Sequence, residues 1–313
     1  MILVTGATGF LGRHLMPRLV ARYGAAAVAG VSSRDYDLMD AAQVRRMFQE
    51  RKPTVVIHLA AYSGGIGANQ QRPADFFYRN TLLTTLVFQE AAVQGVKRLV
   101  YTMGGCSYPA SARSPIDEEQ MWEGFPQPES AGYSCAKKMG IVAGMACRKQ
   151  YGLDSVILVP GNMYGEYDNY RPAESHVIPA MIRRFYEARR AGAAEVVLWG
   201  SGRPTRDFVY AGDVAGMVAE FVEAQNGSGP INISSGTSTS IGELAEMVRQ
   251  QVGFQGRITW DTSKPEGQMV KIFDVTRLAK LGLACRTALC EGLAQTVRWF
   301  AANYDMRGDA IRL

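Results

Sequence analysis

The chain has 313 residues, of which 47% are hydrophobic and 20% charged, so it can form one large or two modest domains. A net charge of +5 without a long lysine or arginine block favours a small anionic ligand over a nucleic acid. The five cysteines lack metal-ligand spacing, and no apolar run is long enough to span a membrane. We therefore expect a reduced, cytoplasmic protein that binds no metal, nucleic acid or membrane.

The first half of the chain alternates short β-branched runs with helical stretches. The predicted strands are Met1–Thr5, Ala27–Val31, Thr54–Leu59, Arg98–Thr102 and Ser155–Val159. The predicted helices are Gly12–Tyr23, Ala41–Glu50, one around Thr81–Gln94, and Tyr133–Tyr151. Apolar strands between helices indicate a parallel sheet that is covered on both faces. Right-handed crossovers then predict an α/β, doubly wound (Rossmann) fold.

After Pro160 this alternation ends, and proline and polar residues mix with aromatic ones. Later strands are predicted at VVLWG, DFVYA and INISS, and helices near Ile241–Val252 and Leu289–Asn303. We interpret residues 1–160 and 207–235 as a dinucleotide-binding domain. Residues 161–206 and 236–313 are then a smaller substrate-binding region that interleaves with the last strands of the sheet.

The segment VTGATGFLGRHL places Gly6, Gly9 and Gly12 between the first strand and the first helix. Glycine lets the backbone approach a pyrophosphate closely, and the N-terminus of the helix supplies N–H donors and a positive dipole. Because the glycines follow a strand and open a helix, they predict a dinucleotide site. The alternative is a glycine-rich turn that only packs the helix on the strand.

The tip of the second strand distinguishes NADP from NAD. An NAD site carries an acidic residue about 20 residues after the glycines, whereas residues 31–34 here contain none. The candidate ligands for a 2′-phosphate are Ser32, Ser33, Arg34 and Arg13. NADP(H) is therefore favoured over NAD(H). In the alternative, both arginines are solvated and Asp35 or Asp37 turns back to a ribose.

The segment YSCAK places Tyr133 and Lys137 four residues apart on one face of a helix. A lysine ammonium and an oxidised nicotinamide ring both lower the pKa of a nearby phenol, which lets it exchange protons near neutrality. A tyrosine and a lysine at this spacing are common by chance. Downstream of a dinucleotide-binding fold, however, they indicate an acid–base pair.

At these positions the chain resembles the extended short-chain dehydrogenase/reductases, and within them the GDP-L-fucose synthases. The segments that carry the resemblance are TGATGFLG, SRDYDLMD, HLAAYSGGIGAN, PADFFYRN, GYSCAK, PGNMYGEYDNYRPAESHVIPAMIRRF, VVLWGSGRPTRDFV and TSKPEGQMVKIFDVTRL. The resemblance runs nearly from end to end. It implies conversion of GDP-4-keto-6-deoxymannose to GDP-fucose by epimerisation at C3 and C5 and reduction of the C4 ketone with NADPH.

The resemblance also implies roles for the catalytic residues. Cys106 would be the base and His176 the acid of epimerisation, because the ketone acidifies the protons on C3 and C5. Tyr133, beside Lys137, would protonate O4 as hydride arrives and steady the enolate oxygen. As alternatives, Cys106 is a small buried apolar residue, and His176 is a polar residue at the start of a helix.

Further site residues are carried over by the same resemblance. On the cofactor side they are Gly6, Gly9, Phe10, Leu11, Gly12, Arg13, Ser32, Ser33, Arg34, Asp40, Leu59, Ala60, Ala61, Lys137, Pro160, Asn162 and Met163. On the GDP-sugar side they are Asn162, Arg184, Trp199, Arg206 and Lys271, of which arginine suits a diphosphate. Trp199 is alternatively a core residue, and Asp40 a helix N-cap.

The chain departs from the family pattern at three positions. The family has a serine, which hydrogen-bonds the ketone oxygen, where this chain has Gly104 in MGGCSYP. Ser107 lies three positions further on, and in a continued strand it would face the opposite side. The segment AGD (211–213) stands where the family has a second acid, and Val270 replaces a basic residue near the sugar.

Three functions remain open at this point. The first is a GDP-sugar epimerase/reductase, and the second is an epimerase or reductase for another NDP-hexose or heptose. The third is a weakly catalytic dinucleotide-sensing or scaffold protein, which Gly104 favours and the retained Tyr133, Lys137, Cys106 and His176 oppose. The family also implies a homodimer that packs helices near Thr81–Gln94 and Tyr133–Tyr151 across a two-fold axis.

Overall fold

A computed structural model describes residues 1–172, 174–224, 229–264 and 267–307 of the chain. Residues 173, 225–228, 265–266 and 308–313, which belong to the predicted domain ranges, lie outside the described residues. The strands are β1 Ile2–Thr5, β2 Val28–Val31, β3 Val55–His58, β4 Arg98–Thr102, β5 Asp154–Pro160, β6 Asn162–Tyr164, β7 Glu195–Trp199, β8 Thr205–Arg206, β9 Phe208–Tyr210, β10 Pro230–Ile233, β11 Thr239–Ser240, β12 Arg257–Asp261 and β13 Val270–Lys271. The α-helices are α1 Phe10–Tyr23, α2 Ala41–Arg51, α3 Ile66–Gln71, α4 Pro73–Val93, α5 Ala131–Tyr151, α6 Val177–Arg190, α7 Ala211–Glu220, α8 Ile241–Val252, α9 Thr276–Lys280 and α10 Leu289–Arg307.

The central sheet has six strands in the order β10-β5-β4-β3-β1-β2, and every pair is parallel. This order confirms the predicted doubly wound α/β fold. The chain moves outward from β1 in both directions, so a crevice opens at the carboxyl ends of β1 and β3. The segments that follow β1, β3 and β4 all leave the sheet at this edge, which is where a ligand is expected.

Helices cover both faces of this sheet, as its continuous apolar strands require. On one face, α1 and α7 pack through residues such as Leu15 and Val214 against Val4. On the other face, α2, α4 and α5 pack through residues such as Phe48 and Phe88. The two apolar clusters hold the strand ends, and therefore the crevice, in a fixed arrangement.

A third apolar cluster lies in the C-terminal part of the chain, where α6, α8 and α10 pack around the parallel pair β7 and β12. A small sheet with the order β11-β8-β13 lies beside it. In its parallel register, Arg206 of β8 pairs with Lys271 of β13. These short strands bring two cations from distant parts of the sequence side by side.

Several elements differ from the sequence-based predictions. Helix α4 begins at Pro73 rather than near Thr81, because proline is favoured in the first turn, where its missing N–H is not needed. Helices α6 and α7 and strand β12 were not predicted. Trp199 is 62% exposed, so its interpretation as a core residue is wrong. No helix in the described part of the chain is long and apolar enough to cross a bilayer.

Candidate active site

The glycine turn between β1 and α1 has the geometry of a phosphate cradle. Gly6 has a φ of +71°, which strongly favours glycine, and a Cβ on Gly6 would lie 2.8 Å from the backbone nitrogen of Ala60. A Cβ on Gly12 would lie 2.4 Å from the carbonyl oxygen of Gly6. Gly9 is the N-cap residue of α1, and no side chain accepts a capping hydrogen bond from the first turn of the helix. The first N–H groups of α1 therefore remain available to an anion. The turn therefore fits a dinucleotide pyrophosphate.

The walls of the crevice come from segments after β3 and β5. The backbone N–H of Leu59 donates to the carbonyl of Thr5 at 3.2 Å, which holds the segment with Ala60 and Ala61 against the glycine turn. Pro160 ends β5, and Met163 of β6 packs partly buried against the core. Asn162 Nδ2 donates to the carbonyl oxygen of Asp207 at 2.9 Å, which fixes the orientation of its amide. These residues follow β3 and β5 of the central sheet, and their contact with a cofactor stays a prediction.

The tip of β2 carries one exposed cation, Arg34, and a carboxylate that is hydrogen-bonded to Ser32. Asp35 accepts hydrogen bonds from both the backbone N–H and the hydroxyl of Ser32, each at 2.8 Å, and these bonds lower the pKa of Asp35. Both bonds end on Oδ2 of Asp35 and hold the carboxylate toward Ser32. Ser33 and Arg34 stay exposed, and no described carboxylate pairs with Arg34. The tip therefore offers donors to a phosphate better than it offers acceptors to a ribose hydroxyl.

Asp40 is the N-cap of α2, since its carboxylate accepts from the backbone N–H groups of Ala42 at 2.8 Å and Gln43 at 3.3 Å. These bonds lower the pKa of Asp40. The helix-cap interpretation is therefore correct as a structural role. The contact of Asp40 with an adenine stays a prediction.

Tyr133 and Lys137 lie in the first two turns of α5, beside the end of β4. Lys137 is 2% exposed, and burial lowers the pKa of its ammonium to about 7. No described carboxylate pairs with it, and its Nζ lies 4.2 Å from the centre of the Tyr101 ring. The cleft therefore holds an amine that exchanges its proton close to neutral pH.

The pKa of Tyr133 moves in the direction opposite to the one expected from a neighbouring ammonium. Tyr133 is half-buried, and loss of solvation raises its pKa well above the ordinary value. The charges of Cys106 and Tyr101 act in the same direction. Loss of solvation is the largest of these causes and sets the direction of the shift. In the protein without cofactor, Tyr133 is consequently a proton donor.

Cys106 lies in a short 3₁₀ turn, residues 105–107, directly after β4. A Cβ built on Gly104 would lie 3.3 Å from the sulfur of Cys106 and 3.8 Å from the hydroxyl of Tyr133. Position 104 thus stands between the thiol and the phenol. Its φ of −138° and ψ of 142° are extended values that any residue adopts. A side chain at position 104 would therefore not strain the backbone.

Ser107 does not replace the missing serine. It is fully buried, and within the described part of the chain its hydroxyl has no hydrogen-bond partner. The strand ends before this residue, so the 3₁₀ turn, rather than the alternation of a strand, sets its direction. Gly105 cannot carry a side chain either, because its Cβ would lie 2.4 Å from the ring of Phe273. Of this loop's side chains, the thiol of Cys106 is the one that lies beside Gly104, next to Tyr133.

The predicted substrate residues form two groups. Lys271 lies beside Arg206 in the register of β13 and β8, and burial lowers the pKa of Lys271, while Cys106 raises it and Arg206 lowers it. Arg206 donates to the carbonyl oxygens of Thr205 at 2.8 Å and Gln268 at 2.6 Å, and burial lowers its pKa. Arg184 and Trp199 belong to an exposed second group, in which Arg184 donates to the carbonyl of Val197 at 2.9 Å. The first group suits phosphate oxygens, and the second suits a planar base.

His176 enters from a separate segment, where it is the N-cap residue of α6. Its side chain makes no capping hydrogen bond and is exposed to water, so both the acid role and the polar helix-start alternative stay predictions. Surrounding protein lowers the pKa of His176, although solvent still reaches the ring. The preceding loop is fixed, because the carbonyl of Glu174 accepts from the N–H of Gly65 at 2.9 Å.

Two residues beneath Lys137 were missed by sequence reasoning. The hydroxyl of Tyr101 donates to the carbonyl of Lys137 at 3.3 Å and hydrogen-bonds Thr84 at 3.0 Å, so its ring supports the ammonium. The buried ring of His58 stacks on Tyr101 with centroids 5.7 Å apart, and burial lowers its pKa to about 3. The sequence indicates them only as polar residues near the carboxyl ends of strands, His58 on β3 and Tyr101 on β4. Among the described residues, no group of three His, Cys, Asp or Glu side chains could hold a metal.

Comparisons with known proteins find related chains over nearly the whole length of this one. The NAD dependent epimerase/dehydratase family matches residues 2–234. GDP-L-fucose synthase 1 of Arabidopsis thaliana is 38% identical over 302 residues, covering 96% of this chain and 93% of the relative. A GDP-L-fucose synthetase structure from Naegleria fowleri with bound NADP is 29% identical, with a TM-score of 0.88, covering 97% of this chain and 93% of that one. A GDP-6-OMe-4-keto-L-xylo-heptose reductase from Campylobacter jejuni is 26% identical, with a TM-score of 0.89 and 96% and 97% of the two chains covered.

These likenesses extend beyond the dinucleotide-binding half of the chain. The family match contains the glycine turn, Cys106 and the Tyr133–Lys137 pair, and ends with the last strand of the central sheet. The relatives also cover the C-terminal part that contributes Lys271. The chain belongs to the NAD dependent epimerase/dehydratase family.

Proposed function

We propose that the protein is an NADP(H)-dependent epimerase/reductase that converts a GDP-4-keto-6-deoxy-hexose by inversion at C3 and C5 and reduction at C4. The observation that carries this proposal is the grouping of Cys106, Tyr133 and Lys137 at the carboxyl end of the sheet, beside the glycine turn. A reductase alone needs the phenol and the amine but no thiol. GDP-L-fucose synthases that match nearly the whole chain support the same substrate class.

In the reduction step, Tyr133 donates the proton to O4 of the sugar. NADPH, when bound, supplies the hydride that reaches C4. The raised pKa of Tyr133 keeps the phenol protonated at neutral pH, which is the state that ketone reduction requires. Lys137, with a pKa of about 7, can return a proton to the phenolate from within the cleft. The burial of both groups therefore keeps the phenol in the protonated state that donates to a ketone oxygen.

In the epimerisation steps, Cys106 removes the proton from C3 or C5, and His176 supplies a proton on the opposite face. A single group cannot invert a carbon, since the proton must leave one face and return to the other. Tyr133 holds the enolate oxygen between these events. The free thiol supports this role, since neither the thiol nor the phenol has a hydrogen-bond partner among the described residues.

The two cation groups suit the two ends of a GDP moiety. Lys271 interacts electrostatically with Cys106 and pairs in register with Arg206, so the two cations would hold the diphosphate next to the sugar. Arg184 and the exposed ring of Trp199 would bind the base and ribose. Ser33 and Arg34 would hold the 2′-phosphate of NADP, because Asp35 is engaged by Ser32.

Incubation of the purified protein with GDP-4-keto-6-deoxymannose in D₂O tests the function. With NADPH, we expect cofactor oxidation and solvent deuterium at C3 and C5 of the product, measured by absorbance at the nicotinamide band and by NMR. The Cys106→Ser variant should lose deuterium incorporation by about 10²-fold or more, because a serine hydroxyl is a far weaker base, and still reduce the unepimerised ketone.

The outcomes separate the remaining alternatives. Deuterium incorporation without NADPH oxidation would identify an epimerase alone, and oxidation without deuterium would identify a reductase of the heptose-reductase type. Cofactor binding without either signal on any NDP-4-keto-sugar would contradict the enzymatic proposal and support a sensor.

A second prediction concerns the space beside Gly104. Gly104→Ser should keep ketone reduction or raise it by up to about tenfold, since the new hydroxyl would lie near the Tyr133 hydroxyl and add a donor for the ketone oxygen. Gly104→Ala is the matched control, which adds the Cβ without the hydroxyl and should give no gain. Steady-state kcat and KM measure both. A large loss of activity in Gly104→Ser alone would show that a substrate group fills this space.

We also propose a homodimer that forms through α4 and α5. Large apolar side chains are exposed on these helices, among them Phe77 at 48%, Val142 at 48% and Met145 at 68%. Met145→Glu should convert the dimer to a monomer in sedimentation analysis, because it buries a charge in the interface. Leu281→Glu, at another exposed apolar residue, should leave the dimer intact. A monomeric wild-type protein would refute this assembly.

The domain ranges, the cytoplasmic location and the absence of nucleic-acid binding stay predictions.

A further inference from the structure

A cavity of about 320 Å³ lies on the outer side of the glycine turn, next to the start of α1. Its lining residues are Ala7, Thr8, Arg13, Met16, Pro17 and Tyr167. The only charged side chain of this lining is Arg13, and within the described chain no carboxylate pairs with it. The cavity is therefore lined both by Arg13, whose charge no described carboxylate neutralises, and by residues of the glycine turn that fits a phosphate.

The guanidinium of Arg13 is held in a defined place. Its Nε donates to the carbonyl of Thr8 at 3.0 Å, which folds the side chain back over the glycine turn. Its central carbon lies 5.4 Å from the centre of the Tyr167 ring. The Nε–H of Arg13 is thus bonded to Thr8, and one face of its guanidinium lies against the Tyr167 ring. Its two terminal NH₂ groups remain to donate to an anion.

Tyr167 is held over Arg13 by an unusual backbone and by neighbouring rings. Its φ of +70° is uncommon for a residue other than glycine and costs free energy, so its surroundings must maintain it. The ring contacts His14 and Trp299 edge-on, with centroid distances of 5.3 and 5.2 Å. A Cβ on Gly165 would lie 3.4 Å from the ring nitrogen Nε2 of His14, which shows how closely the loop approaches α1.

Glu166, the residue before Tyr167, anchors the loop on two sides. Its carbonyl oxygen is 3.0 Å from Nε2 of His14, which donates to it from α1. Its carboxylate accepts from the hydroxyl of Tyr210 on β9, at 2.8 and 3.0 Å. Tyr167 follows directly from this doubly fixed residue, so its ring has little freedom to leave Arg13.

We propose that Tyr167 is a positioning residue, which holds the Arg13 guanidinium as a binding site for a phosphate of the dinucleotide cofactor. This inference rests on the proposed use of NADP(H) and adds a contribution from the loop after β6, outside the glycine turn and the tip of β2. Two cofactor groups share the required chemistry, the diphosphate and the 2′-phosphate, and both carry oxygens that accept from a guanidinium.

A double-mutant cycle on cofactor binding tests the proposal. NADPH and NADH dissociation constants are measured by fluorescence titration for wild-type protein, Arg13→Ala, Tyr167→Ala and the double variant. Arg13→Ala should weaken NADPH binding by about tenfold or more, as expected for a charge-assisted hydrogen bond. Tyr167→Ala should weaken it about fivefold, the size of a cation–π contact, and should add nothing in the Arg13→Ala background.

Conservative and matched variants separate positioning from general structural damage. Tyr167→Phe keeps the ring and should restore wild-type binding. Tyr151→Ala removes another exposed tyrosine, at the end of α5, and should leave binding unchanged. A loss of NADPH binding larger than that of NADH would assign the site to the 2′-phosphate, and an equal loss would assign it to the diphosphate.

Three results would overturn the inference. They are unchanged NADPH binding in Tyr167→Ala, effects of the two alanine substitutions that add in full, and failure of Tyr167→Phe to restore binding. In each case wild-type NADPH binding persists, so the proposed function is unaffected. Wild-type protein that binds neither NADPH nor NADH would instead refute the cofactor assignment and this inference together.

Discussion

The burial of the Lys137 amine without a carboxylate partner among the described residues is the constraint on which the site depends. A carboxylate would hold the ammonium charged and raise its pKa, whereas the ring of Tyr101 supports it without fixing its proton. The same loss of solvation raises the pKa of Tyr133. One environment thus keeps the phenol protonated and lets the amine exchange its proton near neutrality.

The fold accounts for how such a cleft is built. Parallel strands deliver the glycine turn, the Leu59–Ala61 segment and the Cys106 loop to one edge of the sheet. The small β11-β8-β13 sheet then brings Arg206 and Lys271 to the thiol. Proton transfer and diphosphate binding therefore meet where the dinucleotide-binding sheet and the C-terminal part of the chain adjoin.

Much of this could be predicted from the sequence, because local patterns determine it. Strand β4 and helix α8 have the bounds that periodicity indicated, and the glycine turn follows from the steric demands of close backbone approach. The pKa of Tyr133 could not be predicted, since it depends on how much water the assembled cleft excludes. The ring of Tyr167 over Arg13 could not be predicted either, because a positive φ and contacts across 150 residues leave no local pattern.

The central claim is that the cleft holds an amine that titrates near neutrality beside a protonated phenol. An NMR titration of the Lys137 side chain in the protein without ligand, with its signal assigned by comparison with Lys137→Met, tests this directly. We expect a midpoint at a pH of about 7, because burial lowers the pKa of the amine. A midpoint near the ordinary lysine value of about 10.4 would contradict it, because the amine would then be solvated or paired.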